Sequence, residues 1–218
     1  EEMLQIYLSL TYVASDDTFF KGLKKLMPGC FLIWKDGKVS IDHYWKPTFC
    51  PDESKTMDDW AEEIHRTIEQ IMPEVKEKSE YAESFLSSGV DSSYVLAMSD
   101  LDTTNSCGYV EERFDEAREA KKTADLLGRK FIKREITPEE YFEIVPWVMY
   151  NMEQPLGDAS AIVFALGCKA VAEHAKICYS GEGADEFFGG YNMYRNAERY
   201  GDNLKTFYVG NTNIMKED

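Results

Sequence analysis

Two short stretches constrain what these 218 residues can fold into more than any others. The first is Phe85-Leu-Ser-Ser-Gly-Val-Asp-Ser-Ser93, which follows Tyr81-Ala-Glu-Ser84 and precedes the apolar run Tyr94-Val-Leu-Ala-Met98. A strand feeding a Ser/Gly turn that opens a helix offers backbone N–H groups and the positive helix end to an anion, and phosphate is the obvious candidate. There is no Gly-x-x-x-x-Gly-Lys-Ser/Thr pattern and no lysine in the turn, so hydroxyls and amides must form the cradle. Asp91 among phosphate oxygens would be repulsive unless a divalent cation lay between, and it therefore points to Mg²⁺. A solvated Ser/Gly turn explains this stretch alone about as well.

The second stretch repeats the design. Lys176-Ile-Cys-Tyr179 reads as a strand, and Ser180-Gly-Glu-Gly-Ala-Asp-Glu-Phe-Phe-Gly-Gly-Tyr191 is a glycine-rich loop carrying Glu182, Asp185 and Glu186. Three carboxylates in such a loop make a poor structural element and a good cation site. Strands and helices alternate between and around the two loops. A strand is expected over Thr104–Val110, a helix over Glu116–Leu127 stopped by Gly128, and a strand over Lys130–Ile136. Thr137-Pro-Glu-Glu140 is a capping box opening a helix that Pro146 should kink, and a further helix spans about Ser160–Glu173. Ahead of the first loop, Thr56–Asp59 starts a helix whose Trp60, Ile64, Ile68 and Ile71 form one apolar face. Such alternation implies an α/β fold, a doubly wound parallel sheet with ligands at the carboxyl ends of its strands, where both loops lie.

The first third reads differently. A helix is expected over Glu1–Ala14. Cys30–Trp34 and Val39–Trp45 flank Lys35-Asp-Gly-Lys38, a strong hairpin signal. Pro47–Lys55 is polar, with two prolines, and reads as a linker.

The net charge of −16 excludes nucleic acid and anionic membrane surfaces as partners, since both select basic patches. An acidic protein that binds a nucleotide must supply amides or Mg²⁺ where the phosphates lie. Five widely spaced cysteines with no Cys-x-x-Cys pair read as reduced thiols of a cytoplasmic protein. Cys107 and Cys178, inside expected strands, read as small buried hydrophobes. No apolar run approaches the ~20 residues of a membrane span.

Together these residues resemble the synthetase domain of glutamine-hydrolysing asparagine synthetases, within the PP-loop ATP pyrophosphatases. Ser87-Ser-Gly-Val-Asp-Ser92 matches the pattern Ser-Gly-Gly-x-Asp-Ser with one departure, Ser88 for the first glycine. Ser180–Glu186 continuing to Gly189-Gly-Tyr191 resembles that family's own signature. Phe20-Lys-Gly-Leu-Lys-Lys-Leu-Met-Pro-Gly29 and Tyr44-Trp45 look like the family's entry into the domain. The resemblance implies a PP-loop fold over residues 51–218, with residues 1–50 as a helix and hairpin connecting from a glutaminase domain. It further implies that the N-terminal cysteine nucleophile and the C-terminal lysine-bearing segment lie outside this chain, so that no glutaminase activity is expected of it.

By the same resemblance, Leu86, Ser87, Ser88, Gly89, Asp91, Ser92, Ser93, Cys107, Gly108, Ser180 and Gly181 would hold ATP. Leu86 and Cys107-Gly108 would grip adenine and ribose, and Asp91 and Asp185 would share Mg²⁺. Glu182 would form or hold an acyl-adenylate, and Glu116, aligned by its spacing to Gly128, would lie near the substrate. Asp115 competes with Glu116 for that role, and a solvated helix start accounts for either. Ser93 and Asp185 could instead cap helices, as could Asp158, which the resemblance points toward the site.

The implied reaction joins aspartate and ammonia at the expense of ATP, in a protein for which a homodimer is one allowed assembly. Another adenylating amidotransferase or β-lactam synthetase on the same fold, or a nucleotide-binding fragment without turnover, are the alternatives. A Ser88 with negative φ is expected, with Gly89 making the close approach to phosphate.

Overall fold

The computed structural model describes residues 2–77, 81–110, 115–155, 157–192 and 194. They divide into two compact units: the described residues up to Lys55 with Met149–Asp158, and Thr56–Val148 with the described residues from Ala159 onward.

In the first unit, helix α1 (Glu2–Leu10) is shorter than the expected Glu1–Ala14. It stops because Thr11 takes a left-handed φ of 66°, with its carbonyl accepting from Gly157 N at 2.9 Å. The hairpin is as expected. Strands β1 (Cys30–Lys35) and β2 (Lys38–His43) pair antiparallel with Lys35 opposite Lys38. The turn residues Asp36 and Gly37 have φ of 51° and 75°, as a two-residue type I′ turn requires.

The second unit is a four-stranded sheet in the order β5-β4-β3-β6, with every pair parallel. Its strands are β3 (Ala82–Phe85), β4 (Thr103–Tyr109), β5 (Lys130–Ile136) and β6 (Ile177–Tyr179). The helices are α2 (Met57–Glu77), α3 (Val90–Ser99), α4 (Ala117–Leu126), α5 (Pro138–Asn151), which continues into the first unit, α6 (Ser160–Val171) and α7 (Ala184–Phe188). The chain starts in the middle of the sheet at β3, runs outward through β4 and β5, then returns to the far side of β3 as β6. The order therefore reverses between β3 and β6, the position at which open α/β sheets bind ligands.

Helices cover both faces of the sheet. Leu86, Leu96, Ala120 and Ala124 form a buried cluster that joins the end of β3 to α3 and α4. On the opposite face Gly167 of α6 lies against the ring of Phe85 and Sγ of Cys107, and the Phe85 and Phe164 rings stand 5.3 Å apart. Consecutive strand residues point to opposite faces, so Phe85 and Leu86 serve different cores.

Helix α2 departs from the sequence reading at one position of its apolar face. Met72, not Ile71, continues the half-buried side of α2 formed by Trp60, Ile64 and Ile68; Ile71 is 51% exposed. The helix expected after Thr137 forms as α5 and continues through Pro146, although a proline there forfeits a backbone hydrogen bond. The central strands are polar as well as buried. Ser84 donates to Thr104 Oγ1 at 3.0 Å, and Asn105 Nδ2 donates to Glu83 Oε2 at 2.6 Å, with His174 2.9 Å from the other oxygen of Glu83. Paired in this way, such groups escape the desolvation cost that would otherwise exclude them from a sheet centre.

Candidate functional site

The loop after β3 is held by its own serines. Ser87 N donates to Ser92 Oγ at 3.0 Å, the Ser87 and Ser92 hydroxyls lie 2.9 Å apart, and Gly89 N donates to Ser87 Oγ at 3.1 Å. Ser93 donates to Gly89 O at 2.8 Å from within the first turn of α3. Ser93 is therefore not the cap; Gly89 is, with φ −77° and no side-chain cap bond. The opening N–H groups of α3 have no intrahelical acceptor by geometry, and a glycine cap leaves them facing outward. Ser88 is absent from the positive-φ residues, as expected, so the serine carries no left-handed strain.

The loop after β6 turns sharply. Gly183 (φ 93°) caps the short α7, and Gly189 (φ 66°) closes it by donating to Asp185 O. Asp185 thus lies inside the helix and is not its cap. Its carboxylate rests against the α-carbon of Gly190, where a Cβ would overlap Oδ1. Glu186 accepts from the Tyr191 hydroxyl at 2.6 Å, and that bond, with the other acidic groups of the loop, pushes the Tyr191 phenol up to about 12. Glu182 is exposed, and its N–H donates to Ser180 Oγ at 3.3 Å.

The two loops meet at Gly181. A Cβ there would stand 2.6 Å from Ser92 N and 2.9 Å from Asp91 Cβ, so only glycine lets the second loop lie on the first turn of α3. Parallel pairing of β3 with β6 brings them together, with Ser84 beside Tyr179 at the ends of the two strands.

Glu116 joins this assembly and Asp115 serves the scaffold. Ser88 Oγ donates to Glu116 Oε2 at 3.1 Å. Asp115 accepts from Ala117 N at 3.0 Å and pairs with Lys133 Nζ at 2.8 Å. Gly108 is needed beneath that pair, because a Cβ would overlap Asp115 Oδ1 and stand 2.8 Å from Lys133 Cε. The hydrogen bond from Lys133 holds the Asp115 carboxyl below its ordinary 3.8. A depressed carboxyl contributes stability that is present above the unfolded value and is lost as pH falls through the folded one. Asp115→Asn is therefore expected to flatten the loss of stability below about pH 4. Urea unfolding across pH 3 to 5 checks this, and an unchanged slope would show that the pair is inert.

Not every expected residue shares one surface. Leu86 is 2% exposed and its side chain belongs to the core under α3 and α4. Cys107 faces α6, its thiol pushed up by burial, and burial pushes Cys178 up to about 12. Asp158 lies in the first compact unit, and the N-cap of α6 is Ala159. The segment Glu111–Phe114 and the chain end Met215–Asp218 lie outside the described residues. Lys133 went unnoticed in the sequence: nothing local marks a strand lysine. Among the described residues no three His, Cys, Asp or Glu side chains form a metal cluster, and no helix is long and apolar enough to cross a membrane.

The sequence profile described as Asparagine synthase matches residues 75–213. Asparagine synthetase [glutamine-hydrolyzing] 1 of Bacillus subtilis is 33% identical over 228 aligned positions, covering all of this chain and 36% of that protein. A putative asparagine synthetase [glutamine-hydrolyzing] of Mycobacterium bovis is 28% identical over 200, covering 88% of this chain and 31% of that protein. The chain thus spans about a third of the length of these relatives. Among solved structures, the glutamine-dependent NAD+ synthetase of Acinetobacter baumannii in complex with ADP aligns with a TM-score of 0.44 and 14% identity, covering 81% of this chain and 40% of that one. With the family profile spanning the sheet from β3 through α7, both loops included, the chain belongs to the asparagine synthase family.

Proposed function

We propose that the chain binds magnesium-ATP and the amino-acid acceptor in an ATP-dependent amide ligase that makes asparagine. In the proposed reaction a carboxylate oxygen of aspartate bonds to the α-phosphorus of ATP and pyrophosphate leaves. Ammonia then attacks the acyl carbon, AMP leaves, and a proton is lost from nitrogen. In the longer protein a glutaminase domain supplies the ammonia.

The observation that carries this reading is the packing of Gly181 on Asp91 and Ser92, which joins an uncapped helix start to an acidic loop where the sheet reverses. Such an edge suits a polyphosphate whose leaving group is pyrophosphate. The first-turn amides of α3 face the anion, and donors fixed in advance cost no reorganisation when charge moves onto the leaving group. Asp91 and Asp185 would hold Mg²⁺. Two carboxylates completed by phosphate oxygens and water suit this ion, which rarely takes an all-protein cage. When bound, it would neutralise charge on the leaving group. Ser87, Gly89, Ser92, Ser93, Ser180 and Gly181 would line the nucleotide, Leu86 and Cys107-Gly108 would approach it through backbone, Glu182 would serve the adenylate step, and Glu116 the acceptor.

Aspartate-dependent exchange of ³²P-pyrophosphate into ATP tests the reading. Exchange with aspartate and not with related acids is the expected result; exchange driven only by another acid would reassign the acceptor, and magnesium-ATP binding without exchange would reduce the chain to a nucleotide-binding unit. Asp91→Asn and Asp185→Asn are each expected to weaken ATP binding roughly tenfold with Mg²⁺ present and little without it. Calorimetric titration at both conditions measures this. Parent-like affinity of both variants in excess Mg²⁺ would remove the two-carboxylate site.

A further inference from the structure

The serines of the first loop divide into two groups. The hydroxyls of Ser87, Ser92 and Ser93 are engaged inside the loop and the first turn of α3. The Ser88 hydroxyl reaches out of the loop, across 28 residues, to the Glu116 carboxylate at the start of α4. Glu116 sits at the helix N-cap position with φ −76°, and no side-chain cap bond is made there, so its carboxylate is not turned back onto α4. The neighbouring carboxylate of Asp115 takes over the local work by accepting from Ala117 N and pairing with Lys133. One acid anchors the helix start and the next is left to face the loop.

We propose that Ser88 is a positioning residue for Glu116, holding its carboxylate beside the phosphate loop to receive the ammonium group of the amino-acid acceptor. This rests on the function proposed above. A glutamate left to itself samples many rotamers, and ordering it on substrate binding costs affinity. A hydroxyl that already donates to one carboxylate oxygen meets part of that cost and leaves the other oxygen to the ammonium. Glycine, which the resembled pattern carries at this position, has no such donor, so the departure at Ser88 supplies a contact and does not impair the loop.

The test is calorimetric titration of L-aspartate into the full chain loaded with magnesium and α,β-methylene-ATP, beside titration of the nucleotide itself. Ser88→Ala and Ser88→Gly are expected to raise the aspartate Kd about three- to tenfold and the nucleotide Kd by a smaller factor. Ser88→Thr, which keeps the hydroxyl, restores aspartate binding. Glu116→Gln shows a loss at least as large, and adding Ser88→Ala to it costs nothing further. An unchanged aspartate Kd in Ser88→Ala, equal losses for aspartate and nucleotide, or fully additive losses in the double variant would overturn the inference. Absence of aspartate binding to the unsubstituted chain would count against the proposed function instead. The tether is then decided by the ¹³C resonance of the Glu116 carboxyl carbon, which must move in Ser88→Ala and return in Ser88→Thr; an unmoved resonance overturns the inference.

Discussion

Gly181→Ala is expected to weaken magnesium-ATP binding roughly tenfold or more and to lower stability by about 1–3 kcal/mol. The new methyl would stand 2.6 Å from Ser92 N, 2.8 Å from the carbonyl carbon of Asp91 and 2.9 Å from Asp91 Cβ. Two of these atoms are backbone and the third is the first atom of a side chain, so no flexible tip can swing aside. Either the β6 loop lifts off α3 or the first turn of α3 moves, and both separate Asp91 from the acidic loop. The methyl also lies against the amide nitrogen of Ser92, one of the groups proposed to face phosphate. Gly181 is absent from the positive-φ residues, so strain in its own backbone is not the cause. Thermal unfolding and calorimetric titration of the variant separate the two effects. Parent-like nucleotide affinity in a folded Gly181→Ala would show that the loops act independently.

Leu96→Ala is expected to cost about 3 kcal/mol of stability, the largest loss for a single truncation in this sheet unit. Leu96 has 0% exposure on α3 and packs with Leu86, Ala120 and Ala124, with Leu127 and Phe131 around them. Two of those neighbours are alanines of α4, which already bring the helices close and have no side chain to swing into the void, so the cavity persists. Leu86 directly follows β3 and α3 starts where the first loop ends, so the same truncation loosens the frame that presents Ser87 to Ser93. Denaturant unfolding should show a lower midpoint, and saturating magnesium-ATP should recover part of the loss through its preference for the folded state. A loss under about 1 kcal/mol would mean that the cluster collapses around the gap.

The elements bearing the loops were legible because their signals are local. Asp36-Gly37 dictates a two-residue turn whatever surrounds it, and both residues take the positive φ that turn needs. The helix after Thr137 follows from its capping box, whose reciprocal bonds between Thr137 and Glu140 are both formed. Where local rules misled, long-range pairing had prevailed. Helix α1 ends early because the Thr11 carbonyl bonds to Gly157, far along the chain. Ser84, Thr104, Asn105 and Ser106 look too polar for the centre of a sheet, yet are 0 to 6% exposed. Ser84, Thr104 and Asn105 are satisfied by partners on neighbouring strands, which no periodicity in the chain reveals.

The candidate site divides along the same line. The sequence by itself determined that a serine-rich loop and a glycine-rich loop each follow a strand, that the first opens a helix with free amides and that the second concentrates carboxylates, because each property belongs to a few consecutive residues. Only the tertiary structure decided that the loops touch, that Gly181 is the point of contact, that Glu116 and not Asp115 faces the first loop, and that the side chains of Leu86 and Cys107 serve opposite faces of the sheet. Those facts follow from the strand order β5-β4-β3-β6. Placing β6 beside β3 brings residues about ninety positions apart into van der Waals contact, and that order is set by the packing of helices on both faces, to which every element contributes and which no single stretch of sequence encodes.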